Sequence, residues 1–144
     1  MKILALASDH AGFEMKEKIK QYVESKGYTI KDFGTFSAES TDYPDYAHPL
    51  ALAVESKEFP MGLTFCGSGN GINITANKHA GIRSALCWTE EIAGLARAHN
   101  DANVCAIPAR FVSFDEAKAI VDAFLTTPFD GGRHQCRVDK IPIK

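Results

Sequence analysis

Five short apolar runs, separated by helix-like or loop segments, constrain this chain more than any other feature. They are residues 2–7, 28–33, 61–65, 82–87 and 103–107. Each has the length of a strand, and helical periodicity fills most of the gaps. Residues 12–26 put Phe13, Ile19, Tyr22 and Val23 on one side of a helix with lysines elsewhere, and Gly27 stands where a helix end is capped. Ala47, Leu50, Ala51 and Val54 recur at i, i+3, i+4 and i+7 after a loop-like stretch over 34–45. Pro49 must then lie near the start of that helix, because an interior proline would break it. A short helix is predicted over 72–77. Thr89 is placed to cap a helix carrying Ile92, Leu95 and Ala96, with Glu90 and Glu91 in its first turn. Ser113 or Phe114 opens the last clear helix, whose core face is Ala117, Ile120, Val121, Phe124 and Leu125. Strand–helix alternation of this kind predicts an α/β fold: a five-stranded parallel sheet with helices on both faces. Residues 126–144 form a C-terminal tail, with Gly131, Gly132 and little apolar surface, which is expected to reach toward a second copy.

A chain of 144 residues is one domain's worth, so residues 1–144 are read as a single domain. Sixteen Lys and Arg against eighteen Asp and Glu leave a net charge of −2, with no basic excess for a phosphate backbone. Nucleic-acid binding is therefore disfavoured. No apolar run approaches a membrane span, and the first one is too short for an export signal. A cytoplasmic protein is the expectation. Cys66, Cys87, Cys105 and Cys136 contain no C-x-x-C pair, so neither a zinc knuckle nor a thioredoxin-like motif is present. They are expected to stay reduced.

Parallel sheets bind ligands beyond the carboxyl ends of their strands. Ser8-Asp9-His10 follows the first strand, and Cys66-Gly67-Ser68-Gly69-Asn70-Gly71 follows the third. His99-Asn100-Asp101 precedes the fifth strand at a helix end, so topology does not guarantee it the same rim. The glycine loop is the most informative segment. Three alternating glycines between a strand and a helix exceed what a turn requires, and their N–H groups can cradle an anion. The dinucleotide fingerprint needs glycine at position 72, and a cysteine-phosphatase loop needs arginine there; the residue is Ile72. The G-K-[ST] ending of a nucleotide loop is also missing. Cys66 can instead serve as a base. Helix-start amides favour thiolate over thiol, and Ser68 could donate to the sulfur. Such a thiolate can take a proton from carbon beside a carbonyl while the cradle holds the enediolate oxygen.

Six segments carry a resemblance to a known family. They are S-D-H-A-G-F at 8–13, T-D-Y-P-D-Y-A at 41–47, C-G-S-G-N-G-I at 66–72, A-N-K-H-A-G-I-R at 76–83, A-R-A-H-N-D-A-N-V at 96–104 and G-G-R-H-Q-C-R-V at 131–138. Together they make the chain similar to the ribose-5-phosphate isomerase B family, grouped with the galactose-6-phosphate isomerases. The resemblance implies a single Rossmann-like three-layer α/β/α sandwich and aldose–ketose isomerisation of a phosphorylated pentose. It implies no metal and no organic cofactor, and a homo-oligomer, dimer or dimer of dimers, with shared active sites. Carried over by position, Cys66 is the base, supported by Ser68. His99 opens the sugar ring with Asp9 as its partner. Gly67, Ser68, Gly69, Asn70 and Gly71 form the anion hole. His10, Arg110, Arg133 and Arg137 hold phosphate, and Asn100 holds the sugar. Tyr43 is a further residue that could line the pocket, and His134 lies between two of the arginines. Pro108-Ala109 departs from the glycine expected before Arg110. A six-carbon sugar phosphate is the alternative substrate, and a non-catalytic sugar-phosphate sensor is the more distant reading.

Overall fold

The computed structural model describes residues 2–143. Its five strands are β1 (Ile3–Ser8), β2 (Thr29–Asp32), β3 (Gly62–Cys66), β4 (Ser84–Leu86) and β5 (Val104–Pro108). All paired strands run parallel, in the spatial order β2-β1-β3-β5-β4. The helices are α1 (Phe13–Ser25), α2 (Pro44–Glu55), α3 (Asn70–Ala76), α4 (Glu90–Asn100), α5 (Phe114–Thr126) and α6 (Arg133–Val138). α1, α4 and α5 cover one face, where Leu4, Leu6, Leu63, Phe65, Ile107, Ile120 and Phe124 form the larger core. On the other face α2 packs Leu50 and Val54 against Ala5, Ala7 and Val104. The three-layer α/β sandwich expected from strand–helix alternation is what the chain forms.

Several local expectations need correction. Pro49 lies well inside α2, which begins at Pro44. The helix survives because Pro49 sits on its exposed side, so the loss is one backbone bond rather than a packed contact. β4 is shorter than the apolar run 82–87, because the Ile82 N–H is spent in a turn, donating to the His79 carbonyl. α3 starts at Asn70 rather than at Ile72: left-handed Gly69 (φ 80°) turns the chain into the helix two residues sooner. Ile92 and Leu95 do not face the core of α4. Ala93, Ala96 and Arg97 do, and Ile92 and Leu95 stand 46% and 39% exposed. The tail folds back rather than away. Its helix α6 buries Val138, and the Asp130 N–H donates to the Ala98 carbonyl at 2.9 Å.

Two tight contacts fix the upper end of β1. A Cβ on Gly12 would lie 2.2 Å from the Phe65 carbonyl oxygen, so the turn into α1 rests directly on β3. Lys16 is the other surprise among lysines expected to be solvated. It is fully buried, with its Nζ 2.6 Å from Asp32 Oδ2 and 5.5 Å from the ring centres of Phe13 and Phe36. Glu17 Oε2 also lies 3.4 Å from the ammonium but is partly exposed, so removing Asp32 takes away the short, buried partner of a buried charge. Asp32→Ala should therefore cost roughly 3–5 kcal/mol of stability. Urea unfolding checks this, with Lys31→Ala as the exposed-lysine control; similar midpoints for the two variants would contradict it.

Candidate active site

Strand direction sorts the candidate residues into two groups. At the carboxyl rim, Asp9 and His10 follow β1, residues 66–71 end β3 and enter α3, and Arg110 follows β5. Asp9 is almost wholly buried, and its Oδ1 accepts the Gly12 N–H at 3.0 Å. His10 donates its backbone N–H to Thr41 Oγ1 at 3.1 Å, and its Nδ1 accepts the Thr41 N–H at 3.1 Å. The Thr41 carbonyl lies 3.2 Å from the same nitrogen, so both polar groups of the Thr41 backbone hold the Nδ1 side of the ring. The Arg110 N–H donates to the Gly67 carbonyl at 3.0 Å, and its guanidinium lies against Gly67. The Ala109 N–H likewise donates to the Cys66 carbonyl at 2.9 Å, so the substitution of Pro108-Ala109 leaves the loops after β3 and β5 joined.

Cys66 is buried at the mouth of the cradle, and the amides of Ile72, Gly69 and Gly71 face its sulfur. The direction of its titration corrects the expectation from helix-start amides. Burial pushes the Cys66 thiol up, the Asp9 charge adds to that, and the three amides offset only part of it. Ser68 also differs from expectation. Its Oγ accepts the Asn70 N–H at 3.3 Å, and among the described residues no hydrogen bond joins it to Cys66. An oxygen used as an acceptor still has its own proton to donate. Tyr43 lies directly over Gly71: a Cβ there would come within 2.5 Å of the phenol ring.

The second group stands at the opposite edge of the sheet. α4 leaves the carboxyl end of β4 and must reach the amino end of β5, and its 11 residues span about 16 Å. His99 and Asn100 end that helix. α5 makes the same descent, so the tail lies there too. His99 and His134 stack, with ring centres 4.3 Å apart and planes 11° from parallel. Arg133 and Arg137 are exposed one turn apart on α6. Desolvation, the neighbouring His99 and Arg133 hold the His134 imidazole below its ordinary range.

Within one chain, the expected pairing of Asp9 with His99 is therefore not made. Nor do Arg133 and Arg137 share a rim with Arg110. His99, Asp130 and His134 bring ligand-type atoms within 4.8 Å of one another, the one such group among the described residues. Stacked rings, however, send their in-plane lone pairs side by side rather than toward a common ion. Sequence reasoning named neither Thr41 nor Asp130 as a site neighbour. Thr41 lies in a quoted segment but acts on His10 across 31 positions, a distance no local pattern reports.

The family model described as Ribose/Galactose Isomerase matches residues 4–141. A ribose-5-phosphate isomerase B of Escherichia coli K12 is 48% identical, over 98% of this chain and 95% of its own. A crystal structure of a ribose 5-phosphate isomerase from Thermotoga maritima superposes with a TM-score of 0.96 at 50% identity, covering 97% of each chain. A ribose-5-phosphate isomerase B from Mycoplasma genitalium, solved with bound ribulose-5-phosphate, gives a TM-score of 0.92 at 40% identity, over 96% of this chain and 93% of that one. With a family model spanning nearly the whole chain and relatives this similar from end to end, the chain belongs to the ribose/galactose isomerase family.

Proposed function

We propose that the chain interconverts D-ribose 5-phosphate and D-ribulose 5-phosphate by proton transfer through an enediolate. The observation that carries this reading is the Cys66 sulfur set against three cradle amides with Asp9 beside it. Cys66, as thiolate, takes the proton from C2 of the open-chain aldose and returns it to C1. The 67–71 amides hold the oxygen on which charge develops, and Ser68 can donate to it or to the sulfur. His10 and Arg110 supply further donors on this rim. The six-carbon reading places the same chemistry on a longer sugar. A coupled assay across five- and six-carbon sugar phosphates tests the choice, and a preference for allose or galactose 6-phosphate would overturn the pentose assignment.

Each pocket needs two copies in this reading, because the other half of the machinery lies at the far edge of its own sheet. Ile92, Leu95 and His99 fall at i, i+3 and i+7 of α4, so an exposed apolar stripe runs into the imidazole. Trp88 and Phe111, with ring centres 5.3 Å apart, add exposed aromatic surface near the other end of that helix. A second copy seated there would bring His99, Asn100, Arg133 and Arg137 to the first copy's Cys66 rim. His99 would meet the partner's Asp9 and open the ring, while the arginines would clamp the phosphate.

Refolding Cys66→Ala chains together with His99→Asn chains tests the sharing. Half the dimers are mixed and each carries one intact site, so about a quarter of wild-type aldose activity should return. Cys66→Ala mixed with Arg110→Ala should return none, since both residues serve the same chain's rim. The reverse pattern would defeat the shared pocket.

The pH profile checks the base independently. A thiol pushed up by burial and by Asp9 leaves thiolate the minor form at neutral pH, so kcat/KM should climb through the alkaline range. Asp9→Asn removes a charge that raises the thiol. Whatever it does to the rate, it should shift the ascending limb to lower pH. An unmoved limb would count against Cys66 as the base.

A further inference from the structure

Arg83 ends the segment 76–83 and takes no part in the chemistry above. Its Nε donates to the carbonyl of Asn100 at 3.1 Å and to that of Asp101 at 3.0 Å, and its Nη2 lies 3.4 Å from Asp101 Oδ2. The backbone reinforces this clasp. The Arg83 N–H donates to Asn103 Oδ1 at 2.8 Å, and the Asn103 N–H donates to the Arg83 carbonyl at 2.9 Å. From the other side, Arg97 Nη1 donates to Asp101 Oδ1 at 3.0 Å and to the Ala102 carbonyl. Asp101 has φ 48°, the left-handed conformation in which helices commonly end and which Asp and Asn enter more readily than most residues.

The last carbonyls of a helix have no partner within it. At α4 a guanidinium from a different segment takes two carbonyls at once and grips the carboxylate that follows. The residues immediately before this clamp are His99 and Asn100. Both stand at an edge of the sheet, Asn100 exposed and His99 half-buried against the His134 ring. Rigid placement of the imidazole therefore depends on how firmly the final turn is held.

We propose that Arg83 is a positioning residue for the isomerisation. By clamping the end of α4 it holds His99 and Asn100 where the neighbouring copy's pocket can use them. The proposal rests on the ring-opening role given to His99.

The test uses enzyme concentration as the variable. A protein that opens the ring itself consumes aldose in proportion to enzyme. One that has lost ring opening takes only the free open-chain form, so its rate reaches a plateau set by ring opening in solution. Ribulose 5-phosphate cannot close a furanose, because its O5 carries the phosphate, and its rate stays proportional throughout. At low enzyme, Arg83→Ala should lower the rate in both directions by about tenfold, as a misplaced catalytic group does. At high enzyme it should show the aldose plateau that His99→Asn shows, and Arg83→Lys should restore part of the proportionality. Independently of activity, the ring–ring NOE between His99 and His134 should weaken in Arg83→Ala. Asp101→Asn tolerates the left-handed turn while removing the carboxylate; it should behave in the same way and serves if Arg83→Ala does not fold. Aldose rates that fall but stay proportional to enzyme, with the NOE intact, would overturn the proposal and mark Arg83 as merely structural. If His99→Asn itself shows no plateau, the ring-opening reading fails, and the NOE alone decides whether Arg83 holds His99.

Discussion

A helix that leaves the carboxyl edge of a parallel sheet has to come down to the amino edge before the next strand can begin. Everything about this site follows from that geometric demand. Cys66, Asp9 and Arg110 belong to turns at one edge, while His99 belongs to the end of a descending helix at the other. No side-chain rotamer closes a gap set by the length of α4. The residues assigned to the proposed active centre are thus divided by topology, and the shared pocket proposed above would reunite them by symmetric association. One face of α4 carries both the exposed apolar residues Ile92 and Leu95 and the imidazole of His99, the group proposed to open the ring.

Opposed forces meet at the Cys66 sulfur. Three amides stabilise its anion, as the glycines imply, but the sulfur is also dry and stands near a buried carboxylate. Dryness and the carboxylate win in the free protein. For the base role proposed for Cys66 the balance has a chemical use: a thiolate that is costly to form is a strong base once formed. At the far edge the forces on His134 also oppose one another: burial, His99, Arg133 and Arg137 lower its imidazole, while Asp130 raises it.

Much of the fold is legible in the sequence. The five strands and the main helices follow from period and length, and the cradle follows from glycines placed between a strand and a helix. What escaped the sequence depends on partners distant along the chain. Lys16 looks like one more solvated lysine until Asp32 is seen beneath it. Pro49 is a breaker by local rule, yet it is tolerated on a face with nothing packed against it. Ile92 and Leu95 fit a core-facing pattern because periodicity reports that a helix has an apolar face, not what covers that face. The tail looked too polar to dock, but Val138 and one imidazole stack sufficed.

Gly12 lies so close to the Phe65 carbonyl that no side chain can come between them. The spacing between the Asp9 turn and the strand that presents Cys66 is consequently a main-chain dimension rather than a product of side-chain packing. Substitutions in the surrounding core can change volume or shape without moving the carboxylate relative to the thiol. The separation between the Asp9 carboxylate and the Cys66 thiol is thereby set by the main chain, and a change of volume in the interior beneath it reaches the pair only by moving a strand.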